Sequence, residues 1–172
     1  MRKRVAGISE ATLSRFALRA RRAAGLIGEL NILITGDEEM RELNRRFRSK
    51  DKATDVLSFP SALPDAAGDI AISGDIARRN GEELGHGVLT ELKVLILHGV
   101  LHLAGYDHES DRGKMARKEQ ELREQLGLHE GLIERSANRV LAPKKAPKKR
   151  STSMKIAKQS AKTNAAGKGR QR

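Results

Sequence analysis

Three of the chain's five histidines fall within eleven residues, in the stretch His98-Gly-Val-Leu-His102-Leu-Ala-Gly105-Tyr-Asp-His108. A helix turns about 100° per residue, so His98 and His102 share one face, and two imidazoles one turn apart reach a common ion at roughly 2.0–2.1 Å. His108 joins them only if the helix stops first. On a continuing helix it would lie about 9 Å beyond His102 and on the far side. Gly105 stands where that stop is needed, because glycine takes the left-handed, helix-ending conformation without a Cβ penalty. A single H-x3-H pair is more often two ordinary histidines, but the third histidine and the glycine support each other. The pattern predicts a metal centre of His98, His102 and His108. Three neutral nitrogen ligands and an open fourth position suit one catalytic zinc ion better than a structural one.

Zinc held this way lowers the pKa of its water to about 7 and acts as a Lewis acid on a phosphoryl oxygen. Zinc peptidases with an H-E-x-x-H helix use the glutamate as general base. Here that position is Gly99, which cannot take a proton, although the remaining spacing matches the metzincin frame. A phosphodiester substrate eases the difficulty, since its own oxygens or an RNA 2′-hydroxyl can take part in proton transfer or attack. Asp107 and Asp55 are candidate assistants, set against plainer roles: Asp107 orienting a ligand histidine, Asp55 capping a turn. Arg48 is the candidate phosphate clamp, because a planar guanidinium makes bidentate contacts to anionic oxygens; the plainer reading is a surface arginine in a polar loop. Lys50 and Lys52 would extend the track along the backbone. Tyr106 is expected to pack, and His86 and His129 to be ordinary surface histidines.

The elements that must position these groups are legible in outline. Ser9 caps a helix to about Ala24, with Leu13, Phe16, Ala17 and Ala20 on one stripe. Leu30–Ile34 alternates as a strand, and Asp37 caps a short helix with Met40, Leu43 and Phe47 inward. Val56–Pro60 reads as a second strand, 61–68 as a loop, Asp69–Ser73 as a third strand, and Asp75–Leu84 as a helix. The histidine helix starts at about Thr90, an N-cap with Glu91 in the first turn, and is apolar nearly all round to Leu103, so it should be central and buried. A last helix spans about Glu109–Leu126, with Met115, Leu122 and Leu126 inward and Gly127 ending it.

Composition bounds the partners. The 172 residues suit one domain with a real core, and there is no cysteine for a disulfide or thiolate site. No run approaches the roughly 18 apolar residues of a membrane span, and the basic Met1-Arg-Lys-Arg start is not followed by the apolar segment of a signal peptide. Three Phe, one Tyr and no Trp argue against an RNA surface built on aromatic stacking. The net charge of +12 is unevenly placed: residues 141–172 hold eleven of the 34 Lys and Arg and no acidic residue, leaving 23 basic against 22 acidic groups before them. The expected organisation is a zinc hydrolase domain over 1–130 and a basic, disordered tail over 131–172 that contacts nucleic acid.

Three blocks, Leu43–Pro60, Gly68–Ser73 and His98–His108, resemble the YbeY family of bacterial rRNA maturation factors, which are zinc-dependent endoribonucleases. They occur in the family's order and cover most of residues 30–127. The resemblance implies an α+β fold, a small mixed β-sheet packed with helices, whose central buried helix carries the first two metal-ligand histidines. It implies one Zn2+ held by His98, His102 and His108, with His98 and Arg48 as catalytic residues, and Arg48 matching the arginine of the family's Y/F-R-x-K-D-K segment. It further implies single-strand-preferring cleavage in 16S rRNA 3′-end maturation and ribosome quality control. The setting would be the cytoplasm, on the small ribosomal subunit, with ribosomal proteins and an Era-type GTPase as partners. Family members usually begin with an extra strand, for which only Val5-Ala6-Gly7 remains, so the sheet is expected to lack one edge strand or the start to lie too late. The basic tail is not a usual part of the family. The alternatives are a hydrolase of another class, such as a peptidase, which would need its base elsewhere than Gly99, and a ribosome-assembly module with a structural zinc.

Overall fold

A computed structural model describes residues 7–128 apart from Glu109. The basic tail, His129 and the strand sought at Val5-Ala6 lie outside the described residues. The elements run α1 (Glu10–Ala23), β1 (Glu29–Thr35), α2 (Asp37–Arg48), β2 (Val56–Pro60), β3 (Ala66–Ser73), α3 (Gly74–Leu84), α4 (Gly87–Leu103) and α5 (Lys114–Leu126). The fold is α+β, with a mixed three-stranded sheet in the order β1-β3-β2.

β3 sits in the middle, parallel to β1 and antiparallel to β2. Its side chains alternate between two covered faces. Ile70 and Ile72 point to the core built on α4, whereas Ala71 points to a smaller cluster with Leu57 and Met40 of α2. Burial on both faces explains why β3 is apolar at nearly every position. α4 is likewise wrapped by α1, α3, α5 and the sheet, which is why a helix apolar all round is stable here. Its Leu92, Leu95, Ile96, Leu97 and Leu101 are fully buried. No single described helix is long and apolar enough to cross a membrane.

Several boundaries differ from the sequence reading, each for a local reason. α4 begins at Gly87 with His86 at its N-cap, three residues before Thr90. Glu91 is fully buried, and its carboxylate accepts from Asn80 Nδ2 (3.2 Å) and meets His86 Nε2 (2.8 Å). His86 is therefore a half-buried pairing residue, not an ordinary surface histidine. Asp37 is the first residue inside α2, where its carboxylate accepts from the Ser73 hydroxyl and from Arg79 (2.7 Å), and Gly36 holds the cap position. β3 starts at Ala66, inside the segment expected to be loop, because its first residues pair with β1. α5 starts at Lys114 rather than Glu109, since Asp111 accepts from the Gly113 and Met115 amides and so nucleates the helix later. Phe47, expected inward, is 55% exposed, its ring meeting Phe59 of β2, which is an outer strand of the sheet among the described residues.

Candidate metal centre and its cation-lined cleft

The histidine helix ends as the spacing requires. The Gly105 amide donates to the His102 carbonyl (3.0 Å) and the Tyr106 amide to the Leu101 carbonyl (3.1 Å), with Gly105 at φ +87°. This is the paired closure of a left-handed C-terminus, and it reverses the chain so that His108 returns to the helix face. The three imidazole centroids are 4.7, 5.3 and 5.5 Å apart. One ring nitrogen from each lies within 4.8 Å of the others.

The ring orientations fit a shared cation. His98 is buried, and its Nδ1 lies 3.2 Å from Oε2 of Glu119, a buried carboxylate of α5. A carboxylate there fixes the Nδ1–H tautomer and leaves the Nε2 lone pair pointing into the site. That Nε2 faces His102 Nε2 at 3.1 Å, and the His102 ring also bonds to the Tyr106 backbone. Two imidazole lone pairs across so short a gap repel unless a cation sits between them. Ligand nitrogens around a tetrahedral zinc stand roughly 3.4 Å apart, so His98 and His102 are already at ligating separation, and the exposed His108 needs only a side-chain adjustment. Burial, reinforced by the charges of His98 and His108 when protonated, pushes the His102 pKa from 6.5 down to about 4, against smaller opposing effects from Tyr106 and Asp107. His102 is therefore neutral, the form a metal binds, throughout the neutral range.

The triad opens on a cleft of about 560 Å³ that also takes in Arg48, Lys50 and Lys52. The sequence-predicted metal and substrate residues are thus brought to one place. The cations reach it through the turn after α2, where Ser49 adopts a left-handed conformation at φ 55°. Buried Asn44 donates to the Lys52 carbonyl (2.8 Å), and Arg41 grips Asp51 through two 2.7 Å bonds, so the loop is tied back to its own helix. Those pairings also sort the charges. Arg41 and Arg45 are matched by Asp51 and Glu42, whereas among the described residues Arg46, Arg48, Lys50 and Lys52 have no carboxylate within salt-bridge distance. The cleft lining therefore carries three cations, Arg48, Lys50 and Lys52, against two carboxylates, Asp55 and Asp107, a balance that suits an anionic chain.

Both candidate assistants line the cleft. Asp55 accepts from the Val56 amide (2.9 Å) and the Thr54 hydroxyl (3.1 Å), which is the turn-capping role. Asp107 accepts from the Ser110 hydroxyl (2.8 Å), and a further carboxylate, Glu119, meets the ligand histidine His98. Gly99 has a structural reason: a Cβ there would lie 2.9–3.2 Å from three carbons of buried Ile70. Its carbonyl accepts from Ser58 of β2 (3.2 Å). A side chain at that position would require Ile70 to shift, and the glycine that stands there supplies no peptidase base. Sequence reasoning missed Glu119 and Asn44. Each lies on the buried stripe of an amphipathic helix, Glu119 with Met115, Leu122 and Leu126, and Asn44 with Met40. A polar residue on an apolar stripe was the available signal.

Comparison with known proteins finds relatives over most of the chain. The family model described as Endoribonuclease YbeY matches residues 2–127. Proteins named Endoribonuclease YbeY from Koribacter versatilis and Solibacter usitatus are 58% identical over 136 residues and 51% identical over 134. These alignments span 79% and 78% of this chain, and 90% of each relative. The solution structure of TM1509 from Thermotoga maritima superposes with a TM-score of 0.50 at 29% identity, covering 83% of this chain and 95% of that one.

Proposed function

The chain belongs to the YbeY family of endoribonucleases, and from that membership we propose that it is a zinc-dependent, single-strand-preferring endoribonuclease of 16S rRNA 3′-end maturation and ribosome quality control. The observation that carries the reading is the meeting, in one cleft, of three clustered imidazoles with Arg48, Lys50 and Lys52, which have no carboxylate within salt-bridge distance among the described residues. His98, His102 and His108 would hold one Zn2+, which when bound supplies Lewis acidity toward a phosphoryl oxygen. Glu119 keeps His98 in the ligating tautomer. Arg48 grips the scissile phosphate through two parallel N–H bonds and stabilises the charge that gathers on its oxygens during cleavage. Lys50 and Lys52 hold the neighbouring phosphates as point charges. The reaction adds water, or a ribose 2′-hydroxyl, across the P–O bond and leaves an alcohol, so neither a redox partner nor a nucleotide cofactor is needed.

The reading extends to the setting: the cytoplasm, the small ribosomal subunit as the body that presents the RNA, and ribosomal proteins with an Era-type GTPase as partners. The basic tail over 131–172 would add non-specific affinity for RNA. A single-stranded rRNA fragment and its duplex, each incubated with the purified protein with and without a chelator, test the proposal. Cleavage of the single strand alone, lost on chelation and restored by zinc, is expected. Undiminished cleavage in chelator overturns the zinc requirement, and equal cleavage of the duplex overturns the strand preference.

A further inference from the structure

The chain's few aromatic residues are not scattered. Of three Phe and one Tyr, only Phe16 is fully buried. Tyr106 lines the cleft. Phe59 lies on the other face of β2 from Ser58, packed on the cluster of Met40, Leu57 and Ala71 beneath α2, and Phe47, which meets it there, immediately precedes cleft-lining Arg48 in the chain. Phe47 is 55% exposed although it occupies the inward stripe of α2. Its ring is braced edge-on by Phe59, with centroids 4.9 Å apart and planes at 66°. The Arg46 guanidinium stands 5.3 Å from the Phe47 centroid and pairs with no carboxylate among the described residues. A solvent-facing ring braced by a second ring and flanked by a planar cation, one residue along the chain from the phosphate clamp, is how proteins seat an unpaired base.

We propose that Phe47, braced by Phe59 and flanked by Arg46, is a stacking platform for one nucleobase of the single-stranded RNA, next to the phosphate held by Arg48. The inference rests on the ribonuclease reading and supplies a physical source for single-strand preference. A base inside a duplex is already stacked on its neighbours and offers no free face to the ring. Composition argued against a stacking surface because aromatics are scarce, but one platform needs only one exposed ring in the right place.

The chain has no tryptophan, so Phe47→Trp in the full-length holoenzyme creates a single indole reporter at the platform. Rapid mixing reads its fluorescence before cleavage, against a single-stranded oligoribonucleotide and an abasic ribose-phosphate oligomer of equal length. The base-containing strand should quench the indole and the abasic one should not. In parallel, Phe47→Leu, which keeps apolar volume and loses the ring, should raise KM for the base-containing strand roughly tenfold, the order of one lost stack. Its affinity for the abasic oligomer should match that of the wild type. Equal quenching by both oligomers, or a wild-type KM for Phe47→Leu, overturns the platform while leaving the ribonuclease reading intact. Failure of the wild type to bind or cleave the base-containing strand overturns both.

Discussion

Glu119→Ala removes a group that touches no substrate and yet should weaken the metal centre severely. Glu119 is 2% exposed and its Oε2 lies 3.2 Å from His98 Nδ1. Truncation strands that Nδ1–H in a buried site, which costs about 1–3 kcal/mol. It also frees the ring to change tautomer and rotate, and loss of such orienting partners typically lowers metal affinity about 10- to 100-fold. The two estimates agree, since about 1.4 kcal/mol is a factor of ten. Glu119→Gln keeps an oxygen acceptor without the charge, so its loss should fall toward the lower end. The assay is zinc competition against a chromophoric chelator at neutral pH, with thermal unfolding of the metal-free proteins to separate a ligation defect from a folding defect. Glu124→Ala, an exposed change of the same charge on the same helix, serves as the control and should bind zinc like the wild type. If Glu119→Ala is folded and holds zinc as tightly as the wild type, the carboxylate does not orient His98 and the tautomer argument is wrong.

Arg48→Ala should retain full metal content and lose about 100-fold in kcat/KM, the scale of one removed charge-stabilising donor; Arg48→Lys should recover only part, and wild-type turnover in the alanine variant would reduce Arg48 to a surface residue. Gly99→Glu should lower the unfolding free energy, read by denaturant titration, by more than the about 1–3 kcal/mol of overpacking alone, because it also brings a carboxylate against Ile70; a stable variant that hydrolyses peptides would contradict the packing argument. Deleting residues 141–172 removes eleven positive charges and should leave metal content unchanged while making log affinity for an rRNA fragment fall less steeply with log salt. Coincident slopes for the full-length and truncated proteins would show that the tail does not touch RNA.

The parts of the molecule legible in its sequence are those set by periodicity and by special backbone needs. The stripe of α1, the limits of β2, the buried character of α4 and the reversal at Gly105 all follow from residues that have few alternative uses. Gly105 was informative because three histidines demanded a stop and only one nearby residue could make it. What stayed hidden is tertiary. Glu91 was legible only as a first-turn acid and Glu119 not at all, because their burial depends on partners such as His86, Asn80 and His98 that meet them from elsewhere in the chain. Phe47 read as core because helical phase says which way a side chain points but not whether anything lies there. Among the described residues β2 is an outer strand of the sheet, and the ring meets its Phe59 there. Gly99 was legible as a missing base, but its cause, the approach of Ile70, needed the packing of α4 on β3.

The central claim is that one ion, held by His98, His102 and His108, is what makes the cleft cleave RNA. It is tested most directly by titrating zinc into the metal-free protein while following bound metal and cleavage of a single-stranded rRNA fragment together, in the wild type and in His98→Ala, His102→Ala and His108→Ala. The account predicts that wild-type activity rises in proportion to bound zinc and saturates at one ion per chain, and that each variant loses both metal and cleavage. Cleavage that persists in the metal-free wild type, or full zinc occupancy in all three variants, would contradict it.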